Sequence, residues 1–138
     1  MNGVGGRLIP VSELEALRSF DSRGGVTVSA YLQLNTPQNR EAAYDEFMRR
    51  MQARMVECRP QPECREALKE DMEIVGLYLK TNGHRRYAGV AIFSCAAELF
   101  WRAYPLTDAI PSQVSVGPKF DIEPLMAAVG QQASSHAA

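Results

Sequence analysis

Apolar positions change their spacing along this chain, and the changes predict its elements. Residues 26–34, VTVSAYLQL, alternate strictly. Val26, Val28, Ala30, Leu32 and Leu34 share one face, and Thr27, Ser29, Tyr31 and Gln33 share the other. That period of two predicts a strand with one buried and one wetter face. From Asn39 to Cys58 the spacing lengthens: Tyr44, Met48, Met51 and Met55 recur at four, three and four residues, with Phe47 beside them. This is one face of a long helix, and the methionines read as core packing. Pro60 and Pro62 break it. Leu68, Met72, Val75 and Leu79, flanked by Ile74 and Tyr78, carry a second helix to about Lys80. Two long helices around a short Pro-containing turn predict an antiparallel αα-hairpin.

Before and after this hairpin the pattern shortens. Ser12 with Glu15 three residues on has the form of a capping box, opening a short helix with Leu14, Leu17 and Phe20 as its stripe. Arg23-Gly24-Gly25 reads as its stop. Residues 88–95, AGVAIFSC, are apolar or small on both faces, as in a central strand. Residues 98–104 and 112–117 read as further strands, and 122–129 as a short closing helix. Consecutive strands late in the chain favour antiparallel pairing. The expected fold is therefore α+β: a helical hairpin on a four-stranded, mostly antiparallel sheet, with short helices at each end. Residues 1–11 are expected as a flexible leader, 12–130 as one domain, and 131–138 as a disordered tail.

Composition narrows the function by exclusion. The 138 residues carry a net charge of −1, so no whole-molecule field draws in nucleic acid or an acidic membrane. No apolar run is long enough to span a bilayer, and the N-terminal stretch lacks the pattern of a signal peptide. A cytoplasmic location is expected. The three cysteines, Cys58, Cys64 and Cys95, then read as reduced thiols. Cys58 and Cys64 flank the hairpin turn, and a disulfide between them stays open. Zinc would need two more ligands, and none lies nearby in sequence. Phosphate loops, H-E-x-x-H and G-x-S-x-G are all missing. His84 and His136 fall in a turn and in the tail. The expectation is a non-enzymatic chain without a small-molecule cofactor.

What remains is local charge. Arg50 and Arg54 lie one helical turn apart, and Arg59 and Arg65 sit at the hairpin tip. These four are the candidate RNA-binding residues. Lys80, His84, Arg85 and Arg86 form a second basic group at the other end. Glu66, Glu70 and Glu73 dilute the charge on the second helix, so a mixed solvated surface stays open as the alternative.

Four stretches in order resemble the N-terminal domain of archaeal and eukaryotic class 1 peptide chain release factors, and most of all their bacterial relatives. VTVSAYLQL is similar to that family's first strand, and the two-helix hairpin follows it. Residues 89–94, GVAIFS, resemble the next strand, and residues 114–121, VSVGPKFD, the strand and turn before the last helix. The likeness covers about residues 12–130. It implies a helical hairpin on a small sheet in a translation termination or rescue factor, with the ribosome or its RNA as partner. The family reads stop codons with an N-I-K-S loop and a Y-x-C-x-x-x-F motif. Here the tip reads CRPQPEC, Val114 and Val116 stand where Tyr and Cys belong, and Phe120 alone matches. The family's G-G-Q peptide-release motif is missing too. These departures take decoding and peptide release out of what the resemblance implies. Two readings remain: a ribosome- or RNA-associated domain, and a protein-interaction or self-association module. An outward-facing Trp101 or Phe100 would favour the second.

Overall fold

The computed structural model describes residues 9–57, 62–81, 87–108 and 110–128. Its elements run α1 (Val11–Arg18), β1 (Thr27–Gln33), α2 (Pro37–Glu57), α3 (Pro62–Thr81), β2 (Gly89–Cys95), β3 (Phe100–Leu106) and β4 (Gln113–Gly117). A final helix, α4, occupies 123–128. The strands form one sheet in the order β3-β2-β1-β4, and all three pairings are antiparallel. The α+β architecture expected from the pattern is the one observed. Among the described residues, no helix is long and apolar enough to cross a membrane. The leader up to residue 8 and the tail from 131 lie outside the described residues.

The hairpin seats on one face of the sheet. Phe47 and Met51 of α2 and Leu68 and Val75 of α3 pack against Val28, Ala30, Leu32, Val90 and Ile92. Met48, Met55 and Met72 pack on the margin of that core, as the stripe predicted. The start of α2 is fixed locally. The Thr36 hydroxyl oxygen accepts the Asn39 N–H at 3.0 Å, and Pro37 takes the first helical position, where a missing N–H costs nothing. The helix therefore begins two residues before Asn39.

The opposite face departs from the expectation of a wetter surface. β1 is buried on both sides except at Gln33. Tyr31, Ala91, Phe93 and Cys95 join Leu14 and Leu17 of α1, Phe120, Ile122 and Leu125 in a second core. Thr27, Ser29 and Tyr31 are buried because each has a hydrogen-bond partner at the end of β4 or in the segment that follows it. Thr27 donates to the Gly117 carbonyl at 2.9 Å, Ser29 accepts the Asp121 N–H at 2.9 Å, and Tyr31 donates to the Asp121 carbonyl at 2.6 Å. Burial and the nearby Asp121 carboxylate push the Tyr31 phenol far above its ordinary value, so it remains a donor. Tyr31→Phe should cost about 1–2 kcal/mol, because it removes the bond that holds the half-buried Asp121 carbonyl to β1. Urea denaturation followed by circular dichroism measures this; a change within about 0.3 kcal/mol would contradict it.

Two local expectations at α1 fail. The helix starts at Val11 with Pro10 as its cap and makes no side-chain capping bond; Glu15 turns instead to Arg18, 3.2 Å away. It ends at Arg18 and Ser19, not at Gly24. Arg23 and Gly24, with φ of 54° and 82°, form the separate turn that leads into β1. β3 likewise begins two residues late. Ala96–Glu98 form a 3₁₀ turn, and Leu99, at φ 55°, reverses the chain so that Cys95 pairs with Phe100. Pro105 lies on this edge strand, where its missing donor faces no neighbour.

Neither Trp101 nor Phe100 points outward. Trp101 packs edge-on against Tyr78 at 5.5 Å, and Phe100 stacks on Phe20 at 4.5 Å and Phe120 at 5.4 Å. Both faces of the sheet are covered.

Candidate functional site

The end of α2 and the start of α3 place three of the four candidate arginines. Arg59 lies outside the described residues, as do Cys58, His84, Arg85, Arg86 and His136. Arg50 and Arg54 follow one another by a turn on α2, with side chains 48% and 46% exposed. Both are already paired within the helix. Glu46 accepts from Arg50 and from Arg49 together, and Glu57 Oε1 lies 3.1 Å from Arg54 Nη1. The Arg50 hydrogen bond holds the Glu46 carboxyl below its usual range. Exposed pairs at this spacing are weak and exchange readily for a stronger anion. They nonetheless lower the net positive charge that an approaching phosphate would meet.

Arg65 comes from α3 and has no ion-pair partner among the described residues. With Gln52, Met55 and Val56 it lines a shallow groove of about 240 Å³ between the two helices. Val56 is 57% exposed. The groove thus combines an apolar floor with one cationic edge, Arg65, while Arg50 and Arg54 lie on the opposite flank of α2. It can hold a backbone phosphate at Arg65 and set an apolar or base surface on Met55 and Val56.

Cys64 sits half-buried in the first turn of α3 and packs against the first core. It is disulfide-bonded, which corrects the expectation of a reduced thiol there. Cys95 is a free, buried thiol, and burial raises its pKa, so it is a poor nucleophile. Among the described residues no group of three His, Cys, Asp or Glu side chains could hold a metal ion.

A second polar network lies across the molecule. Glu13 Oε1 accepts from Tyr104 Oη at 2.6 Å and from Arg102 Nε at 3.3 Å. The Tyr104 bond, with help from Arg102, holds the Glu13 carboxyl down, while desolvation and Glu13 push the Tyr104 phenol up. This network fastens α1 to edge strand β3. It has no nucleophile beside its carboxylate.

Two further polar residues are not singled out by the sequence pattern. Arg49 shares Glu46 with Arg50 and so belongs to the same charge cluster; its i,i+3 spacing is the signal that could have found it. Asp71 is fully buried on the inner side of α3. Its one signal is an acid three residues after Leu68 on the core stripe. No protein-family model matches this chain, and no curated protein matches it in sequence.

Proposed function

We propose that this chain is a non-catalytic binding domain of a release-factor-like translation factor, presenting the tip of its α2–α3 hairpin to ribosomal RNA. The observation that carries this reading is the division of surfaces. Both faces of the sheet are consumed by cores, while Arg65 edges an open groove between the two helices and Arg50 and Arg54 stand exposed on the other flank of α2. The hairpin-on-sheet fold agrees with what the sequence resemblance implies. The tip has no N-I-K-S, so in this reading it docks without decoding a stop codon.

Contact is local and electrostatic, because the molecule as a whole is slightly acidic. Binding should therefore fall steeply as salt rises, each phosphate contact contributing a slope of about one in log–log form. Co-sedimentation of the chain with ribosomes across a salt series measures this. Pelleting at low salt that is lost by about 0.3 M salt is the expected result; no pelleting at any salt contradicts it.

A second reading rests on α3. Ile74 and Leu77 are 42% and 64% exposed on its outer side, more than the core needs. They favour a protein-interaction or self-association role. Concentration-dependent dimerisation abolished by Leu77→Asp would support that role over the first.

A further inference from the structure

Asp71 is a carboxylate in the interior, and its surroundings are unusual for a charge. The residue is 0% exposed. Oδ1 accepts from Ser94 Oγ at 2.5 Å and from the Ala96 N–H at 2.8 Å. Oδ2 is buried with no hydrogen-bond partner. Among the described residues, no lysine, arginine or histidine pairs with it. The titratable groups that face this corner are acidic or neutral: Glu70 on its own helix, the Cys95 thiol on β2, and Glu98 in the 3₁₀ turn, itself paired with Arg23. A buried charge without a counter-ion is costly, and the common escape is to take a proton. Those same bonds make Asp71 the polar fastening between α3, the end of β2 and the turn into β3.

We propose that Asp71 is a proton-operated latch: protonated, it seats α3 firmly on the β2–β3 corner, and its ionisation loads an uncompensated charge into that seat and loosens the hairpin. The inference stands on this corner alone and does not depend on RNA binding.

The direction of the effect follows from linkage. Burial raises the Asp71 pKa from 3.8 to about 6, against the opposing pull of the Ser94 and Ala96 bonds. The folded chain therefore holds a proton that the unfolded chain has given up between about pH 4 and 6, and stability falls as pH rises through that window. Below about pH 4 the contribution is fully present; above about pH 7 it is gone. A shift of this size corresponds to on the order of a hundredfold in the folding equilibrium.

The test compares urea unfolding of the chain with that of Asp71→Asn from pH 4 to 8. Asparagine keeps the shape and the two accepting bonds but cannot ionise. Relative to the variant, wild type should lose roughly ten- to a hundredfold in its folding constant across this range. A difference that stays constant with pH overturns the latch. The carboxyl ¹³C titration of Asp71 in wild type supplies an independent measurement and decides the matter if the variant does not fold. A midpoint near about 6 supports the proposal, and one at or below about 4 overturns it.

Discussion

Phe93→Ala should cost about 3–5 kcal/mol, a large share of the stability of a domain this size. Phe93 is fully buried at the middle of β2. Its ring meets Tyr31, Phe120 and Tyr104 edge-on, with centroids 5.9, 5.4 and 6.0 Å away. Phe20 and Phe100 continue the cluster through Phe120. Truncation removes the shared partner of three aromatic rings, and strands on either side keep the hole from collapsing. Leu99→Ala is the matching control. Leu99 is 95% exposed at the β2–β3 turn, and its loss should change stability by no more than about 0.5 kcal/mol. Urea denaturation of both variants gives the comparison. A Phe93→Ala cost below about 1.5 kcal/mol would mean that the second face of the sheet is not a core.

That second core is also where the sequence is least legible. The stripes of α2 and α3 are periodic within themselves, so the spacing of Phe47, Met51, Leu68 and Val75 is enough to assign them to a buried face. Thr27, Ser29 and Tyr31 alternate just as regularly, and their polarity argues for water. Their partners, Gly117 and Asp121, lie about ninety positions away in sequence, and no local pattern announces a covering segment at that distance. The hydroxyls tolerate burial because each is satisfied. Short-range chemistry fails for a different reason. Ser12 and Glu15 have the spacing of a capping box, but Arg18 offers Glu15 a partner on the same helix face, and the chain enters the helix two residues earlier, with Pro10 as its cap.

At the tip, helical spacing places the charges but leaves their net effect open. Arg50 and Arg54 lie where that spacing puts them, on the flank of α2. Their pairing with Glu46 and Glu57 follows from the same i,i+3 and i,i+4 rule. Only Arg65 depends on tertiary structure, since the groove it lines exists once the two helices are antiparallel.

Changing Arg50, Arg54, Arg59 and Arg65 together to alanine should weaken ribosome binding by roughly tenfold or more at about 0.1 M salt. Arginine donates two parallel hydrogen bonds to a phosphate and stays charged, so its loss removes geometry as well as charge. The four side chains are not core residues where the structure describes them, and stability should change little. The companion variant changes Arg85 and Arg86 to alanine; in sequence they follow α3, a helix of 20 residues whose own length is roughly 30 Å. It should bind much as wild type does.

The decisive measurement is the salt dependence of ribosome co-sedimentation for wild type and these two variants, with folding of each verified by circular dichroism. The tip variant should bind more weakly and show a shallower log–log slope, because fewer counterions are released, while the Arg85/Arg86 variant keeps the wild-type slope. A folded tip variant that pellets as well as wild type, with the same slope, would contradict docking through the hairpin tip.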